Sequence, residues 1–268
     1  MKQDMSNKEV ILLSTHFVSD FVIEKYKRIR REVDNEKYDV VLLLNMEEGD
    51  NWEIPQDILL FMTDSDSINA LGYQPIAENL LPGSCHFPVL RFFLDNPSYK
   101  FYWFVEYDVE FKGNWADMFA DCTLNLCDYD FLSCHVEKFN KLRNAQWMWW
   151  RLRNYLPYKL EDCVKGFNPI CRYSNRALVF LDTIQKQGCS AHSEVLITSC
   201  LHQHGFKIGD LGGKGKFVPD GFLQKYYITY TDVVNDGTMR YRPIFSVDEI
   251  NHSDYQNVLF HPVKSDNN

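Results

Sequence analysis

The sequence predicts an α/β fold in which a mostly parallel central sheet is flanked by helices in a single domain. Four short, nearly continuous apolar runs lie in the first half of the chain, each bounded by charged or polar residues. Segments with apolar side chains at helical spacing separate these runs, a pattern typical of buried parallel strands joined by crossover helices. At 268 residues the chain is long enough for one large domain with a substantial core.

Each element of the first half is predicted from its own pattern. Residues 10–13 form the first apolar run, and residues 20–31 then place apolar side chains at roughly helical spacing among Lys and Arg. The second run, residues 38–44, is rich in Val and Leu, and the third and fourth, residues 58–62 and 101–105, end next to acidic residues. The four runs are therefore predicted strands, and residues 20–31 are a predicted helix.

The second half has a less regular pattern, and no linker separates it from the first. The predicted elements are strands at 130–134, 170–173 and 206–208 and helices at 137–155, 175–187 and 193–204. Gly188 and Gly205 end the last two helices, because glycine readily adopts the conformation that closes a helix. Residues 265–268 are predicted to be a disordered tail.

Composition excludes some classes of protein. The net charge of −9 argues against a general nucleic-acid-binding protein, which presents a basic face. Eight cysteines occur without a CxxC pair, and Cys122, Cys127, Cys134, Cys171 and Cys200 lie in apparent core segments, so reduced, buried thiols are expected. The first residues lack an apolar signal segment, and no apolar run approaches the length of about 18 residues that spans a membrane. We therefore expect a cytoplasmic protein.

Acidic residues follow the third and fourth predicted strands. Asp64 follows the third, and Glu106 and Asp108 close the fourth. Ligands of an open parallel sheet bind at the carboxyl ends of its strands, so these acids lie where a site is expected. Carboxylates two residues apart on an extended segment project to one side, and a divalent cation commonly satisfies them beside a buried strand. The alternative is a solvated pair of acids that ends a strand.

Residues 104–109, Phe-Val-Glu-Tyr-Asp-Val, resemble the metal-binding DxD segment of the GT-A nucleotide-sugar glycosyltransferases, with Glu in place of the first Asp. The resemblance implies a GT-A-like, Rossmann-like sheet within one domain, residues 1–264. Residues 1–115 would be its nucleotide-binding half, and residues 116–264 its acceptor-side half. The resemblance also implies that Asp108 ligates Mn²⁺ or Mg²⁺ and that Glu106 contacts the metal, the ribose or the sugar.

Further residues fit the family pattern. Glu194 begins an apolar helix, where inverting members place the general base that deprotonates the acceptor; alternatively, Ser193 or Glu194 only caps that helix. His261 and Lys264 follow an apolar run near the C-terminus, where many members supply a third metal ligand and a lysine for the diphosphate. Arg91, on the helix before the fourth strand, either meets the diphosphate or is an exposed helix charge.

The nucleotide is expected in the first half of the chain. By resemblance, Ser14, Thr15 and His16, directly after the first strand, would contact the base and ribose. Asn45 or Asp64 could do so from neighbouring strands. No P-loop or GxGxxG pattern is present, so a kinase or a dehydrogenase has no support.

Residues 146–155 combine three Trp with two Arg. This segment could form a helix with a buried face and an exposed rim, or it could bind a sugar acceptor. A third reading is contact with a membrane that carries a lipid-linked acceptor.

The resemblance predicts a metal-dependent transferase that moves a sugar from a nucleoside-diphosphate sugar to a saccharide, a lipid-linked acceptor or another hydroxyl. Inversion is expected if Glu194 is the base, and retention is equally open if Glu194 is only a cap. One rival is a nucleotidylyltransferase or a metal-dependent phosphohydrolase on a similar sheet. A nucleotidylyltransferase would need a glycine-rich loop after the first strand, which is lacking here. The other rival is a non-catalytic protein that binds nucleotide or carbohydrate.

Overall fold

The structure is a computed structural model that describes residues 7–76, 83–153, 155–230 and 236–264. The predicted tail, residues 265–268, lies outside the described residues. The strands are β1 Glu9–Thr15, β2 Tyr38–Asn45, β3 Leu60–Thr63, β4 Phe101–Glu106, β5 Glu110–Lys112, β6 Phe131–Lys138, β7 Val164–Ser174, β8 Ile208–Asp210, β9 Phe245–Ser246, β10 Val258–Phe260 and β11 Val263–Lys264. The helices are α1 Asp20–Glu32, α2 Ser65–Asn69, α3 Phe87–Asp95, α4 Trp115–Asn125, α5 Asn175–Lys186, α6 Ser193–Gln203 and α7 Val247–His252, with 3₁₀ helices at Met148–Arg151 and Leu160–Asp162.

Seven strands form the central sheet in the order β3-β2-β1-β4-β7-β6-β8. The pairs β1–β2, β1–β4, β2–β3 and β6–β8 are parallel, and only β7 runs antiparallel to its neighbours β4 and β6. The predicted mostly parallel α/β sheet is therefore confirmed. The chain passes to one side of β1 for β2 and β3 and to the other side for β4. This reversal of strand order marks a topological switch point at the carboxyl ends of β1 and β4.

Both faces of the sheet are covered, because successive strand side chains point to opposite faces and both sets here are apolar. In β1, Val10 and Leu12 join one buried cluster, which includes side chains of α3, α5 and α6. Ile11 and Leu13 join a second cluster, with side chains of α1 and α4. Packing on both faces fixes the strand ends that carry the site.

The helix predicted over residues 137–155 was wrong. β6 continues to Lys138, and a series of turns then leads to the 3₁₀ helix Met148–Arg151. Two asparagine side chains supply a reason: Asn140 Oδ1 accepts the backbone N–H of Leu142, and Asn144 Oδ1 accepts the backbone N–H of Asn140. Such local side-chain bonds compete with a regular helix.

Smaller differences also concern the second half. β7 is longer than the predicted strand at 170–173, and β8 begins at Ile208 rather than at residue 206. The short strands β5, β9, β10 and β11 were not predicted, and they form two small sheets that include the C-terminal segment.

The predicted free thiols are present, although not all are buried. All eight cysteines are free, and Cys127 is exposed rather than part of the core. Among the residues that the structure describes, no helix combines the length and apolar character needed to cross a bilayer.

Candidate active site

A cavity of about 1280 Å³ opens at the carboxyl ends of β1 and β4. The predicted site residues that line it are Ser14, Thr15, His16, Asn45, Glu106, Asp108, Glu194, His261 and Lys264. The pairing of β1 with β4 places Ser14 opposite Glu106. Residues from the first and the second half of the chain thus line one cavity at the switch point, where a ligand of an open α/β sheet is expected.

Residues 106–109, the acidic turn at the end of β4, are held in place by a lysine that the sequence analysis did not single out. Lys25 of α1 is buried, and its ammonium donates to the carbonyl oxygens of Tyr107 at 2.7 Å and Val109 at 2.6 Å. These two carbonyls flank Asp108 in the chain. Burial lowers the pKa of Lys25, although Glu110, 3.3 Å away, and Asp108 favour its charged form. The ammonium therefore fixes the backbone that presents Asp108.

His261 reaches the same turn from the C-terminal segment, between β10 and β11. Because a carbonyl oxygen can only accept, Nδ1 of His261 carries a proton and donates it to the carbonyl oxygen of Arg240 at 2.8 Å. The other ring nitrogen, Nε2, then faces Asp108 Oδ1 at 3.4 Å and Glu106 Oε2 at 3.7 Å. The backbone N–H of Val263 donates to the carbonyl oxygen of Asp108 at 2.8 Å and ties the two segments together.

These three side chains fit a divalent cation. One ligand atom from each of Glu106, Asp108 and His261 lies within 4.8 Å of the others. An ion held at about 2.1 Å would set neighbouring ligand atoms about 3 Å apart and opposite ones about 4 Å apart, close to the spacing seen. Within the described residues, Asp108 Oδ1 is buried and has no hydrogen-bond partner, and His261 Nε2 faces it at 3.4 Å as an ion-pair neighbour, so the oxygen has room for a further ligand. The two carboxylates suit Mn²⁺ or Mg²⁺, and the imidazole favours Mn²⁺ of the two.

The charges of this cluster are strongly coupled. Burial raises the pKa of Glu106, and the nearby Asp108 adds to that rise against the effect of His261. Burial also disfavours ionisation of Asp108, but His261 and Lys25 outweigh it and lower the pKa of that carboxyl. Burial acts to lower the pKa of His261, yet the two carboxylates raise it to about 9. In the protein alone, a proton on His261 supplies the positive charge that the two acids require.

Glu194 lies in the first turn of α6, inside the same cavity and almost fully buried. The helix is capped by His192, whose Nδ1 accepts the backbone N–H of Glu194, so neither Ser193 nor Glu194 is the cap. The nearby backbone N–H of Asn168 favours the ionised form of Glu194 and acts to lower its pKa. Burial nevertheless raises the pKa of Glu194 to about 8, and the charge of Glu106 adds to the rise. A carboxyl with this pKa can exchange a proton near neutral pH.

The predicted nucleotide contacts divide into two groups. Thr15 and His16 line the cavity where β1 ends, and the ring of His16 packs edge-on against Tyr107, with centroids 5.6 Å apart. Asn45 lines it from the end of β2, its Oδ1 accepting the Thr63 hydroxyl at 3.1 Å. Ser14 and Lys264 complete this group.

Asp64 and Arg91, by contrast, lie outside the cavity lining. The exposed Asp64 caps α2, where its carboxylate accepts the backbone N–H of Ser67 at 2.8 Å. Arg91 pairs with Asp95 one turn along α3. The predicted role of both residues in donor binding therefore finds no support in this geometry, because local partners already engage their charges.

Several lining residues were not among the predicted site residues, notably Tyr107, Asn168, Arg242 and the tryptophans Trp147 and Trp149. The Trp-rich composition of residues 146–155 was a signal for the last two. Arg242 and Asn168 come from segments far from β1 and β4 in the chain. Nothing in the sequence of these segments indicates that they lie next to the switch point.

Comparisons with known proteins give structural similarity only. No protein-family model and no curated protein sequence matches the chain. Mouse xyloside xylosyltransferase 1 in its apo form has a TM-score of 0.38 at 11% identity, over 76% of this chain and 84% of its own. The mannosyltransferase PcManGT from Pyrobaculum calidifontis, in complex with GDP-Man and Mn²⁺, has a TM-score of 0.43 at 12% identity, over 82% of this chain and 58% of its own. An active-site mutant of LgtC has a TM-score of 0.43 at 7% identity, over 76% of this chain and 72% of its own.

These are structural matches to GT-A glycosyltransferases across most of the chain, the group whose metal-binding segment residues 104–109 resemble. At identities this low and TM-scores below 0.5, the likeness says nothing about substrate or mechanism. Function has to be inferred from the cavity.

Proposed function

We propose that the protein is a metal-dependent glycosyltransferase that moves a sugar from a nucleoside diphosphate to a hydroxyl acceptor, with inversion. The observation that carries the proposal is that a candidate metal-binding cluster and a candidate general base line the same cavity. Glu106, Asp108 and His261 form a cluster that can hold a dication, and Glu194, a buried carboxyl with a raised pKa, faces the same space. A cation site for the leaving diphosphate and a proton acceptor for the incoming hydroxyl are the two groups that an inverting transfer uses.

The donor diphosphate is assigned to the end of the cavity beside the acidic turn. Mn²⁺ or Mg²⁺ bound by Glu106, Asp108 and His261 would neutralise charge that develops on the leaving diphosphate. Lys264 and the exposed Arg242 also line the cavity and add positive charge to it in a chain with net charge −9. Ser14, Thr15, His16 and Asn45 border the space left for the nucleoside.

The transfer step assigns a separate role to Glu194. Its carboxylate takes the proton of the acceptor hydroxyl, and the acceptor oxygen forms a bond to the anomeric carbon. The bond from that carbon to the diphosphate oxygen breaks on the opposite face, so the electron pair leaves with the nucleotide. The backbone N–H of Asn168 favours the ionised carboxylate that this step needs.

A thermal-shift screen tests the donor site. UDP-, GDP- and CDP-sugars are added with and without Mn²⁺ to the protein, to Asp108→Asn and to Asp64→Asn as a matched control. We expect stabilisation by one nucleotide class that needs Mn²⁺, persists in the Asp64 variant and disappears in the Asp108 variant. Stabilisation of equal size with and without Mn²⁺, or stabilisation that persists in Asp108→Asn, would contradict the proposed metal-dependent donor site.

A further inference from the structure

One wall of the cavity is built from the segment that follows β6. The half-buried Trp147 and Trp149 both line the cavity there. The indole of Trp149 stacks on the imidazole of His192, with ring centroids 4.2 Å apart and planes within 9° of parallel. Trp149 therefore packs against the residue that caps α6, two positions before Glu194, and Trp149 and the proposed general base line the same cavity.

Hydrogen bonds within the segment hold this wall in place. The buried Asn144 accepts the backbone N–H of Asn140 at 2.8 Å and donates to the carbonyl oxygen of Lys138 at 3.1 Å. The backbone carbonyl of Asn144 accepts the indole N–H of Trp150 at 2.9 Å. Trp150 in turn packs edge-on against Trp147, with centroids 4.8 Å apart. These contacts all join residues 138–150 to one another and fix the positions of the two rings.

The wall also carries polar groups that the described part of the chain leaves without a hydrogen-bond partner. Gln146 is exposed and lines the cavity, and its amide has no such partner; the same holds for the indole N–H groups of Trp147 and Trp149. Asn168, on the side of Glu194, is buried, and its Nδ2 is also unpaired. A hydroxyl both donates and accepts, so it can satisfy an amide in either orientation.

Flat aromatic faces with hydrogen-bonding groups at their edges match one ligand chemistry. A pyranose ring has an apolar C–H face and a rim of hydroxyls, so it can lie on an indole while its hydroxyls bind amides and N–H groups. An acyl or isoprenyl chain would instead cover those donors without pairing them, which costs free energy.

We propose that Trp147, Trp149 and Gln146 form the acceptor subsite and that the acceptor is a saccharide. The inference rests on the proposed function, because it names the acceptor of that same transfer.

The test measures saccharide binding in the absence of donor, so that it does not depend on transfer. Saturation-transfer NMR is recorded with a panel of free mono- and disaccharides on the protein and its variants. For a saccharide that binds, we expect Trp149→Ala to weaken binding by about tenfold, since an aromatic face supplies about that much affinity. Gln146→Ala should also weaken it, and the exposed position of Gln146 means that this variant keeps the fold.

Leu142→Ala is the matched control, because Leu142 belongs to the same segment, is 95% exposed and lies outside the cavity lining. Equal saccharide signals in the Trp149, Gln146 and Leu142 variants would overturn the assignment. So would a panel without any binder, or binding confined to a polyisoprenyl phosphate in micelles or to a hydroxyl-bearing peptide. Nucleotide binding is measured on the same preparation of the unsubstituted protein. If that protein shows no Mn²⁺-dependent nucleotide binding, the proposed donor site is wrong, whatever the saccharide result.

Discussion

Replacement of Lys25 by Met should loosen the turn that presents Asp108. In the protein, the Lys25 ammonium donates to the carbonyl oxygens of Tyr107 and Val109, and it lies 3.3 Å from a carboxylate oxygen of Glu110. Methionine fills a similar volume but supplies no donor. Both carbonyls would then stay buried without this partner, while Glu110 would keep its contact with Arg28.

The size of the effect follows from these contacts. A buried acceptor left without a donor costs about 1–3 kcal/mol, and two such carbonyls are involved. Burial lowers the pKa of Lys25, because the charged ammonium is less stable in the interior than in water. Removal of this charge therefore stabilises the variant and offsets part of the loss. We therefore expect the free energy of unfolding to fall by about 2–4 kcal/mol. Affinity for Mn²⁺ should fall about tenfold or more, as for other groups that orient metal ligands.

Urea unfolding and calorimetric Mn²⁺ titration, the latter well below the unfolding midpoint, measure the two quantities. Lys27→Met is the matched control, because Lys27 lies on the same helix and makes only an exposed pair with Glu24. That variant should change stability by no more than about 0.5 kcal/mol. Equal Mn²⁺ affinities in the Lys25 and Lys27 variants would show that the ammonium does not position the acidic turn.

Three further predictions concern residues away from the transfer chemistry. Asp64→Ala removes the cap of α2 and should lower the free energy of unfolding by about 1 kcal/mol in urea titrations, while Mn²⁺-dependent nucleotide binding persists. Arg91→Ala removes only a surface pair and should leave nucleotide affinity unchanged by calorimetry. Burial lowers the pKa of His86 and of His135 to about 4, below the unfolded value, so their neutral forms stabilise the fold above about pH 6.5. That stability is lost as pH falls towards 4, by about 2 kcal/mol per ring between pH 7 and pH 5. Because Glu194, whose pKa burial raises to about 8, shifts the free energy of unfolding in the opposite direction over this range, the two rings are followed by NMR titration instead. Imidazoles that titrate near pH 6.5 in the folded protein would contradict the prediction.

The strands at the switch point could be predicted from the sequence because their local pattern and their environment agree. Residues 38–44 and 101–105 are apolar throughout, apart from one acid near the start of the first, and β2 and β4 are buried on both faces of the sheet. The polar residues that end them therefore fall at the carboxyl edge, which is why Glu106 and Asp108 could be singled out. Asp64 follows an apolar run in the same way, yet β3 is an edge strand and its next residues turn into a short helix. Sequence pattern alone does not separate the two cases.

Contacts between distant segments could not be predicted. Lys25 and Tyr107 are far apart in the chain, and nothing in the sequence of α1 distinguishes the buried Lys25 from the half-buried Lys27. Sugar-acceptor binding was among the roles that the sequence suggested for residues 146–155, but the segment 140–152 was wrongly predicted as part of a helix, for a different reason. Its Trp and Arg content favours a helix by periodicity, but the asparagines at its start close turns through their own side chains. Placement of the aromatic rings then depends on packing against α6, a tertiary effect.

Replacement of Glu194 by Gln separates donor binding from transfer. Burial raises the pKa of Glu194 to about 8, and a general base acts only when ionised, so the transfer rate should rise with pH up to that region. Gln keeps the size of the side chain but cannot take a proton; we expect a 10²–10⁴-fold slower transfer, roughly the usual contribution of a general base, while Mn²⁺-dependent nucleotide binding persists. Glu161→Gln is the control, since Glu161 is an exposed acid outside the cavity lining. Anomeric proton NMR of the product reads the stereochemistry. A retained configuration, or a Glu194→Gln variant with the rate and pH profile of the parent, would show that Glu194 is not the base.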